Sequence, residues 1–406
     1  MEFIRRHAEK VIDRYRNEFP VVLVSGARQT GKTTVLQNYL KSEAGYLTFD
    51  DLTEENSAKE DPKMFLELHR GIYLFDEIQY VPDLLRYIKM EVDKEKKKGM
   101  YFLTGSQQLL LMEKASESLA GRIGIVSLYP FSRREITGED FYLPFIPTDE
   151  YVKKRGAKKD VSLSDVWQRI FDGGYPAVVV GEVDRRDFYA NYLKTYIERD
   201  IRRLSGISDE LQFIAFITAV AARTGTMVNY SELSRDVGIS EVTAKKWLSL
   251  LTTSGLVYLL RPFSKNIEKR VVKAPKLYFM DTGLAAYLTR WTSMEALQIG
   301  AMAGAMFETY VVGEIIKSFT NAGVEPPLYY YRDKDKIEID ALIYADNTIY
   351  PVEIKKTSTP SRKDAASLSI VNRIKDINIG RSTVVCNCSS PVAVKEGVLA
   401  LPISYI

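Results

Sequence analysis

Val21-Val22-Leu23-Val24-Ser25-Gly26-Ala27-Arg28-Gln29-Thr30-Gly31-Lys32-Thr33-Thr34 is the stretch that decides the fold. A short apolar run predicts a buried strand, and the segment after Thr33 predicts a helix. Between them, residues 26–33 form a complete phosphate-binding loop in its expected context. Backbone N–H groups of such a turn, with the positive N-terminus of the next helix, cradle phosphates. Lys32 supplies a point charge to the β- and γ-phosphates, and the Thr33 hydroxyl is a ligand for Mg²⁺. Gly26, Ala27, Arg28, Gln29, Thr30, Gly31, Lys32, Thr33 and Thr34 are therefore the expected nucleotide contacts, with ATP or ADP and Mg²⁺ as cofactors.

The chain of 406 residues is long enough for two or three domains, each with its own core. Its 46% hydrophobic and 27% charged residues suit a soluble globular protein. A net charge of +3 identifies no nucleic-acid binder, so any basic surface must be local. Cys386 and Cys388 are the only cysteines and cannot make a four-ligand zinc site; reduced thiols in a cytoplasm are expected. With His7 and His69 the only histidines, the sequence argues against His-dependent chemistry such as a Ser-His-Asp triad. The charged N-terminus is unlike a signal peptide, and the longest apolar run, 213–222, is too short to span a bilayer. No membrane partner is expected.

Strands predicted at 21–25, 46–49, 72–75, 101–104 and 124–128 alternate with helical segments, after an opening amphipathic helix. This pattern implies a parallel sheet covered on both faces, with ligands at the carboxyl ends of its strands. The strand Ile72-Tyr73-Leu74-Phe75 ends in Asp76-Glu77. Asp76 would lie near the Mg²⁺, and Glu77 would polarise the attacking water. Phe102-Leu103-Thr104-Gly105-Ser106-Gln107 closes another strand at the same edge. Two readings stand there: Thr104 or Ser106 senses the γ-phosphate or orients water, or the segment is only a turn. Arg122, in Leu119-Ala120-Gly121-Arg122, is either an arginine that stabilises phosphoryl charge, in cis or from a neighbouring subunit, or a surface arginine.

Residues 26–33, 74–77, 103–107 and 119–122, followed by Leu128-Tyr129-Pro130-Phe131-Ser132-Arg133-Arg134-Glu135, resemble the signature series of an uncharacterised prokaryotic AAA-type ATPase family. The resemblance covers nearly the whole chain. It implies an additional-strand P-loop fold and carries Lys32, Thr33, Asp76 and Glu77 over as ATP and Mg²⁺ residues. It puts Thr104 or Ser106 at the sensor position and Arg122 at the arginine-finger position. The family's physiological role is largely unassigned.

Residues 142–160, rich in Pro, Lys and Asp, read as a loop or insertion. Phe171-Asp172-Gly173-Gly174-Tyr175-Pro176 resembles the Gly-x-Pro turn of signal-transduction ATPases, in which the proline packs near the nucleotide base. Pro176 is either that latch or part of a helix-ending turn. Residues 185–204 read as a helix with a basic cluster at Arg199, Arg202 and Arg203. Residues 229–239 and 241–252 then read as two helices around a Gly-containing turn, the second capped by Ser240. With strands at 255–260 and 276–280, the unit is similar to winged helix-turn-helix domains. Its second helix would present Glu241, Thr243, Lys245 and Lys246 toward a DNA major groove. The stretch 261–276, which holds Lys269 and Arg270, carries six Lys/Arg and one Glu, a local phosphate-binding stripe. Such units also serve as intramolecular or protein–protein modules.

Near the C-terminus, strands at 337–343 and 349–355 carry Asp340, Glu353 and Lys355. Period two puts Glu353 and Lys355 on one side of their strand, and a hairpin brings Asp340 beside them. Two carboxylates can bind Mg²⁺ while a lysine activates water for phosphodiester attack. The pattern resembles the PD-(D/E)XK restriction-endonuclease-like site, with Glu308 as the matching helix acid and Glu314 as the alternative. No proline precedes Asp340, a departure from that pattern. The competing reading is an acidic hairpin with an exposed salt bridge.

The expected architecture is α/β. It comprises an AAA-type P-loop parallel sheet (1–140), a helical lid (141–210), a winged helix (211–295) and a PD-(D/E)XK-like α/β domain (296–406). The expected function is an Mg-dependent ATPase whose nucleotide state controls a DNA-contacting winged helix and a nuclease-like module. Two alternatives stand beside it: an ATP-dependent nuclease in genome defence or mobile-element maintenance, and a non-catalytic nucleotide switch that binds a protein. Arg122 acting in trans would require a homo-oligomer.

Overall fold

The computed structural model describes residues 3–105, 118–156, 162–196, 210–264, 274–374 and 376–406. Ser106, Lys269, Arg270 and the cluster Arg199, Arg202 and Arg203 lie outside them. The N-terminal sheet contains β1 (Val21–Ser25), β2 (Gly45–Thr48), β3 (Tyr73–Asp76), β4 (Tyr101–Gly105) and β5 (Ile123–Ser127). All pairings are parallel and the order is β2-β3-β4-β1-β5. β4 stands between the phosphate-loop strand and the strand ending in Asp76, so the additional-strand arrangement holds. Val21 and Leu23 enter one apolar cluster and Val22 and Val24 another, so this strand is buried on both faces.

A third core runs through the rest of the chain. It joins Phe145, Trp167, Phe216, Leu248, Tyr278, Val312, Ile343 and Ile406 in one continuous cluster. Helices Leu163–Asp172, Arg185–Tyr196 and Glu210–Ala221 lead to β6 (Thr226–Met227), helices Tyr230–Val237 and Glu241–Thr253, and β7 (Val257–Leu260) with β8 (Lys276–Phe279). These three strands pair antiparallel in the order β6-β8-β7. The segment 142–160 is not only a loop: it holds helix Asp149–Arg155, capped by the Thr148 side chain. The buried Arg155 and Tyr151 of that helix donate to the carbonyls of Ser404 and Tyr405. Tertiary partners at the far end of the chain thus add to local signals: acids in the first turn and bases in the last.

The C-terminal sheet follows helix Ala303–Thr320. Its strands are β9 (Leu328–Arg332), β10 (Glu338–Ala345), β11 (Thr348–Ile354), β12 (Asn378–Ile379), β13 (Ser382–Cys386), β14 (Val392–Lys395) and β15 (Val398–Pro402). The order is β14-β15-β13-β11-β10-β9, with β12 beside β11. β9–β10–β11 is antiparallel, and β11, β13 and β15 are parallel. No helix among the described residues is long and apolar enough to cross a membrane.

Candidate functional site

Residues 26–31 form the turn between β1 and helix Lys32–Leu40, at the carboxyl end of the sheet. Two glycines are required for different reasons. A Cβ on Gly26 would lie 2.1 Å from the Leu128 carbonyl oxygen, so only glycine lets the loop close onto the exit of β5. Gly31 caps the helix at φ 87°, in the left-handed region that L side chains disfavour. Gln29 also has positive φ. The buried Lys32 ammonium donates to the Ala27 carbonyl at 3.0 Å, and the Thr30 hydroxyl donates to the same oxygen at 2.9 Å.

Asp76 is brought to this loop because β3 ends at the same sheet edge. The Thr33 hydroxyl donates to Asp76 Oδ1 at 2.7 Å, the Thr104 hydroxyl donates to the same oxygen, and Tyr46 reaches Oδ2 at 3.3 Å. The Glu77 N–H donates to Thr104 Oγ1 at 3.1 Å. Thr104 therefore ties both acidic residues together, which goes beyond a plain strand-ending turn. Glu77 sits at φ 57°, ψ 44°, a left-handed backbone for a non-glycine residue, and its carboxylate accepts from Gln79. Strained backbone of this kind clusters at functional sites. A hydroxyl and a carboxylate oxygen side by side are the hard donors that magnesium takes, so Thr33 and Asp76 fit that ion.

Pro176 begins the short helix Pro176–Val179 just after helix Leu163–Asp172 ends, so the turn does end a helix. Its ring faces Gly31, where an added Cβ would stand 3.8 Å from Pro176 Cγ. Beside it opens a cavity of about 370 Å³, lined by Phe3, Ile4, Thr30, Gly31, Thr34 and Pro176.

Arg122 sits as the surface-arginine reading has it, not as a finger on its own subunit's phosphates. β5 runs parallel to β1 with Val21 opposite Ile123, and the Val21 N–H donates to the Arg122 carbonyl. Arg122 therefore stands at the amino edge of the sheet, roughly 16 Å of strand from the phosphate loop. Its guanidinium makes a two-pronged contact with Asp93, at 2.5 and 3.1 Å. A role on its own subunit's phosphates is excluded by the parallel register.

Three more residues complete this site, of which only Glu135 lies in a quoted motif. Arg6, 4% exposed at its side chain, donates to Glu135 at 2.9 Å, and the Glu135 side chain is 0% exposed. The same guanidinium donates to the carbonyls of Thr30 at 2.8 Å and Tyr129 at 2.6 Å, pinning the phosphate loop from below. Glu135 also closes a capping box with Ser132, and Ser-x-x-Glu is legible as one in sequence. Nothing local marks Arg6. The third is Asp281, whose carboxylate accepts from Gly174 N–H at 2.7 Å, Tyr189 OH at 2.7 Å and Leu284 N–H at 2.8 Å. It holds the turn that carries Pro176. The middle unit also touches the loop directly, since a Cβ on Gly255 would lie 3.6 Å from the Ala27 nitrogen.

On helix Glu241–Thr253, Ser240 caps Thr243 N–H at 3.0 Å, and Glu241, Lys245 and Lys246 are exposed while Thr243 is partly so. Lys276 is a correction to the basic stripe. It is 3% exposed and turns inward, away from any surface.

The C-terminal hairpin pairs Ala341 with Val352, which sets Asp340 opposite Glu353. A bulge against β9 falls between Ile339 and Leu342 and aims Asp340 inward. Asp340 accepts from the Ile354 N–H at 2.8 Å; Glu353 accepts from Lys355 at 2.6 Å and from Ser367 at 2.8 Å. Burial, with Asp340 beside it, pushes the Glu353 carboxyl up to about 7. Glu308 and Asp340 both reach the Lys276 ammonium, at 3.0 and 4.0 Å, while Glu353 is held by Lys355. Glu308 also accepts from Tyr278 at 2.6 Å. Glu314 lies elsewhere, accepting from Arg133 N–H and Lys317. Among the described residues, no three His, Cys, Asp or Glu side chains stand together as a metal cradle. The expected set of Glu308, Asp340 and Glu353 thus does not fit a metal as arranged, because lysines neutralise it.

A five-stranded parallel sheet with an inserted strand, a phosphate loop and an acidic pair at one edge defines a P-loop protein of the AAA type. Residues 18–137 match the family described as AAA domain. Residues 163–295 and 303–406 match two families described as domains of unknown function, DUF8612 and DUF4143. The chain thus joins an AAA-type P-loop ATPase domain to a C-terminal DUF4143 domain. Uncharacterized proteins of Mycobacterium tuberculosis and Mycobacterium bovis are each 29% identical over 406 residues, covering 99% of this chain and 84% of theirs. Among solved structures, a Walker-type ATPase of Pyrococcus abyssi aligns at TM-score 0.44 and 17% identity, over 71% of this chain and 98% of its own. A STAND protein with a tetratricopeptide repeat sensor from Pyrococcus horikoshii aligns at TM-score 0.28 and 11% identity, over 79% and 47%.

Proposed function

We propose that this chain binds and hydrolyses Mg·ATP, and that the nucleotide state shifts the middle unit and the C-terminal domain. The observation that carries the reading is the shared edge at which Lys32, Thr33, Asp76, Thr104 and Glu77 meet beside the cavity under Pro176. Lys32 leaves the Ala27 carbonyl to meet the β- and γ-phosphates, as the loop N–H groups take their oxygens. Thr33 and Asp76 would hold magnesium, which supplies charge neutralisation on those phosphates. Glu77 orients and deprotonates the attacking water, with Thr104 fixing its backbone. The base lies against Phe3, Ile4 and Pro176.

Two contacts support transmission outward. Pro176 belongs to the turn held by Asp281, and Gly255 abuts Ala27. Lys245 and Lys246 on the exposed face of their helix favour contact with a DNA backbone, in a unit whose helices and strands follow the order of a winged helix. An Arg122 contribution requires a second copy of the chain, because only a neighbour's phosphates are open to it.

The test pairs Lys32→Ala with Glu77→Gln, reading fluorescent-nucleotide binding and phosphate release. Lys32→Ala should abolish binding. Glu77→Gln should keep binding and lower turnover by roughly 10²–10⁴-fold. Unchanged nucleotide binding in Lys32→Ala would sink the reading.

A further inference from the structure

The C-terminal carboxylate cluster receives a cation from a different part of the chain. Lys276 opens β8 of the middle unit, yet its ammonium lies among C-terminal carboxylates. It stands 3.0 Å from Glu308, 2.5 Å from Glu338 and 4.0 Å from Asp340. Its side chain is 4% exposed. Burial alone would make this ammonium easier to deprotonate, but Glu308, Asp340 and Glu338 outweigh burial and keep it charged. A second ammonium, Lys355, closes the other side, 2.6 Å from Glu353 and 3.8 Å from Asp340.

The lysine arrives as part of a continuous seam. Tyr278, two residues along β8, donates to Glu308 at 2.6 Å. Tyr330 on β9 donates its hydroxyl to the Ala274 carbonyl at 2.6 Å and its N–H to the Arg261 carbonyl at 3.0 Å, and Phe263 N–H donates to the Tyr330 carbonyl at 2.6 Å. The Thr224 and Thr309 hydroxyls meet at 2.8 Å, and Thr224 also accepts from Phe279 N–H. This seam delivers one buried positive charge to the carboxylates that a divalent cation would need. Two cations cannot share those oxygens without strong repulsion in a poorly solvated site.

We propose that Lys276 is a tethered cation that closes the C-terminal carboxylate cluster. Its ammonium takes the place of a divalent metal between Glu308, Glu338 and Asp340. This closure is independent of the nucleotide reading.

The experiment titrates Mn²⁺ into the full chain without nucleotide, by calorimetry and by the electron paramagnetic resonance of free Mn²⁺. Wild type, Asp340→Asn, Lys276→Met, Lys276→Gln and the Lys276→Met/Asp340→Asn double variant are compared. Wild type and Asp340→Asn should bind alike, since the C-terminal cluster takes no metal in either. Lys276→Met should add a site at least about tenfold tighter than any Asp340-dependent binding in wild type. That site should vanish in the double variant, whereas metal held by Thr33 and Asp76 persists. Lys276→Gln keeps a hydrogen-bond donor in the seam and should gain the same site even where Lys276→Met fails to fold. Tight Asp340-dependent binding in wild type would overturn the proposal without recourse to any lysine variant. So would a folded Lys276→Gln or Lys276→Met that gains no Asp340-dependent site.

Discussion

Arg6→Met removes the counter-charge from a carboxylate that has no water to turn to. The Glu135 side chain is 0% exposed, and Arg6 also donates to the Thr30 and Tyr129 carbonyls. Breaking one partner of a buried ion pair costs about 3–5 kcal/mol, because the other charge stays behind uncompensated. Glu135 keeps bonds from Ser132 and from His7 N–H, so its capping of helix Arg133–Ile136 survives in part. The pH dependence follows from the same geometry. Burial would raise the Glu135 carboxyl, but Arg6 with the Ser132 and His7 N–H groups outweighs it and holds it below its ordinary value. A lowered folded value means that this stability is present above the unfolded value, about 4.3. It is lost as pH falls through the folded value. In Arg6→Met the folded value rises, so the variant's deficit is largest near neutral pH and narrows toward pH about 4. Urea unfolding followed by far-UV circular dichroism at both pH values reads this. Combining Arg6→Met with Glu135→Gln should cost less than the sum of the two, because a neutral amide needs no counter-charge. A neutral-pH loss under about 1 kcal/mol, the range of an exposed pair, or strict additivity in the double variant, would refute the reasoning. Arg6→Met should also weaken nucleotide binding, since the Thr30 carbonyl loses its anchor.

Gly26→Ala should destabilise the N-terminal domain by about 1–3 kcal/mol through overpacking. It should also abolish nucleotide binding, because the added methyl meets the Leu128 carbonyl; normal binding in that variant would mean the loop closes differently. Neutralising Lys245 and Lys246 together should make the salt dependence of DNA binding shallower by about 1.8 in log–log slope. An unchanged slope would place the DNA contact elsewhere.

The phosphate loop was legible because strand, Gly-rich turn and helix follow each other within a few residues, and local propensity settles each. Asp76-Glu77 was legible for the same reason, as an acidic end to an apolar strand. The hairpin carrying Asp340 and Glu353 could be placed from period-two alternation, but the register that sets the two opposite each other is seen only in the strand pairing. Arg122 was misplaced as a cis candidate because its motif follows the sensor segment in order, whereas parallel pairing puts it at the opposite end of the sheet. Helix Asp149–Arg155 was missed although Thr148, Asp149 and Glu150 open it with a cap and acids, because a stretch rich in Pro, Lys and Asp reads as loop; the carbonyls at 404–405 then anchor it.

The sequence by itself determined the elements whose physics is local: the nucleotide loop, the acidic strand end, the alternating sheet and the carboxylate hairpin. Only the tertiary structure decided which charges meet. Arg6 finds Glu135 and the underside of the loop, Asp281 finds the turn bearing Pro176, and Lys276 finds the carboxylates of another domain. These pairs span long separations and belong to no motif. A buried charge takes whichever partner the packing brings within reach, and packing is a property of the whole chain.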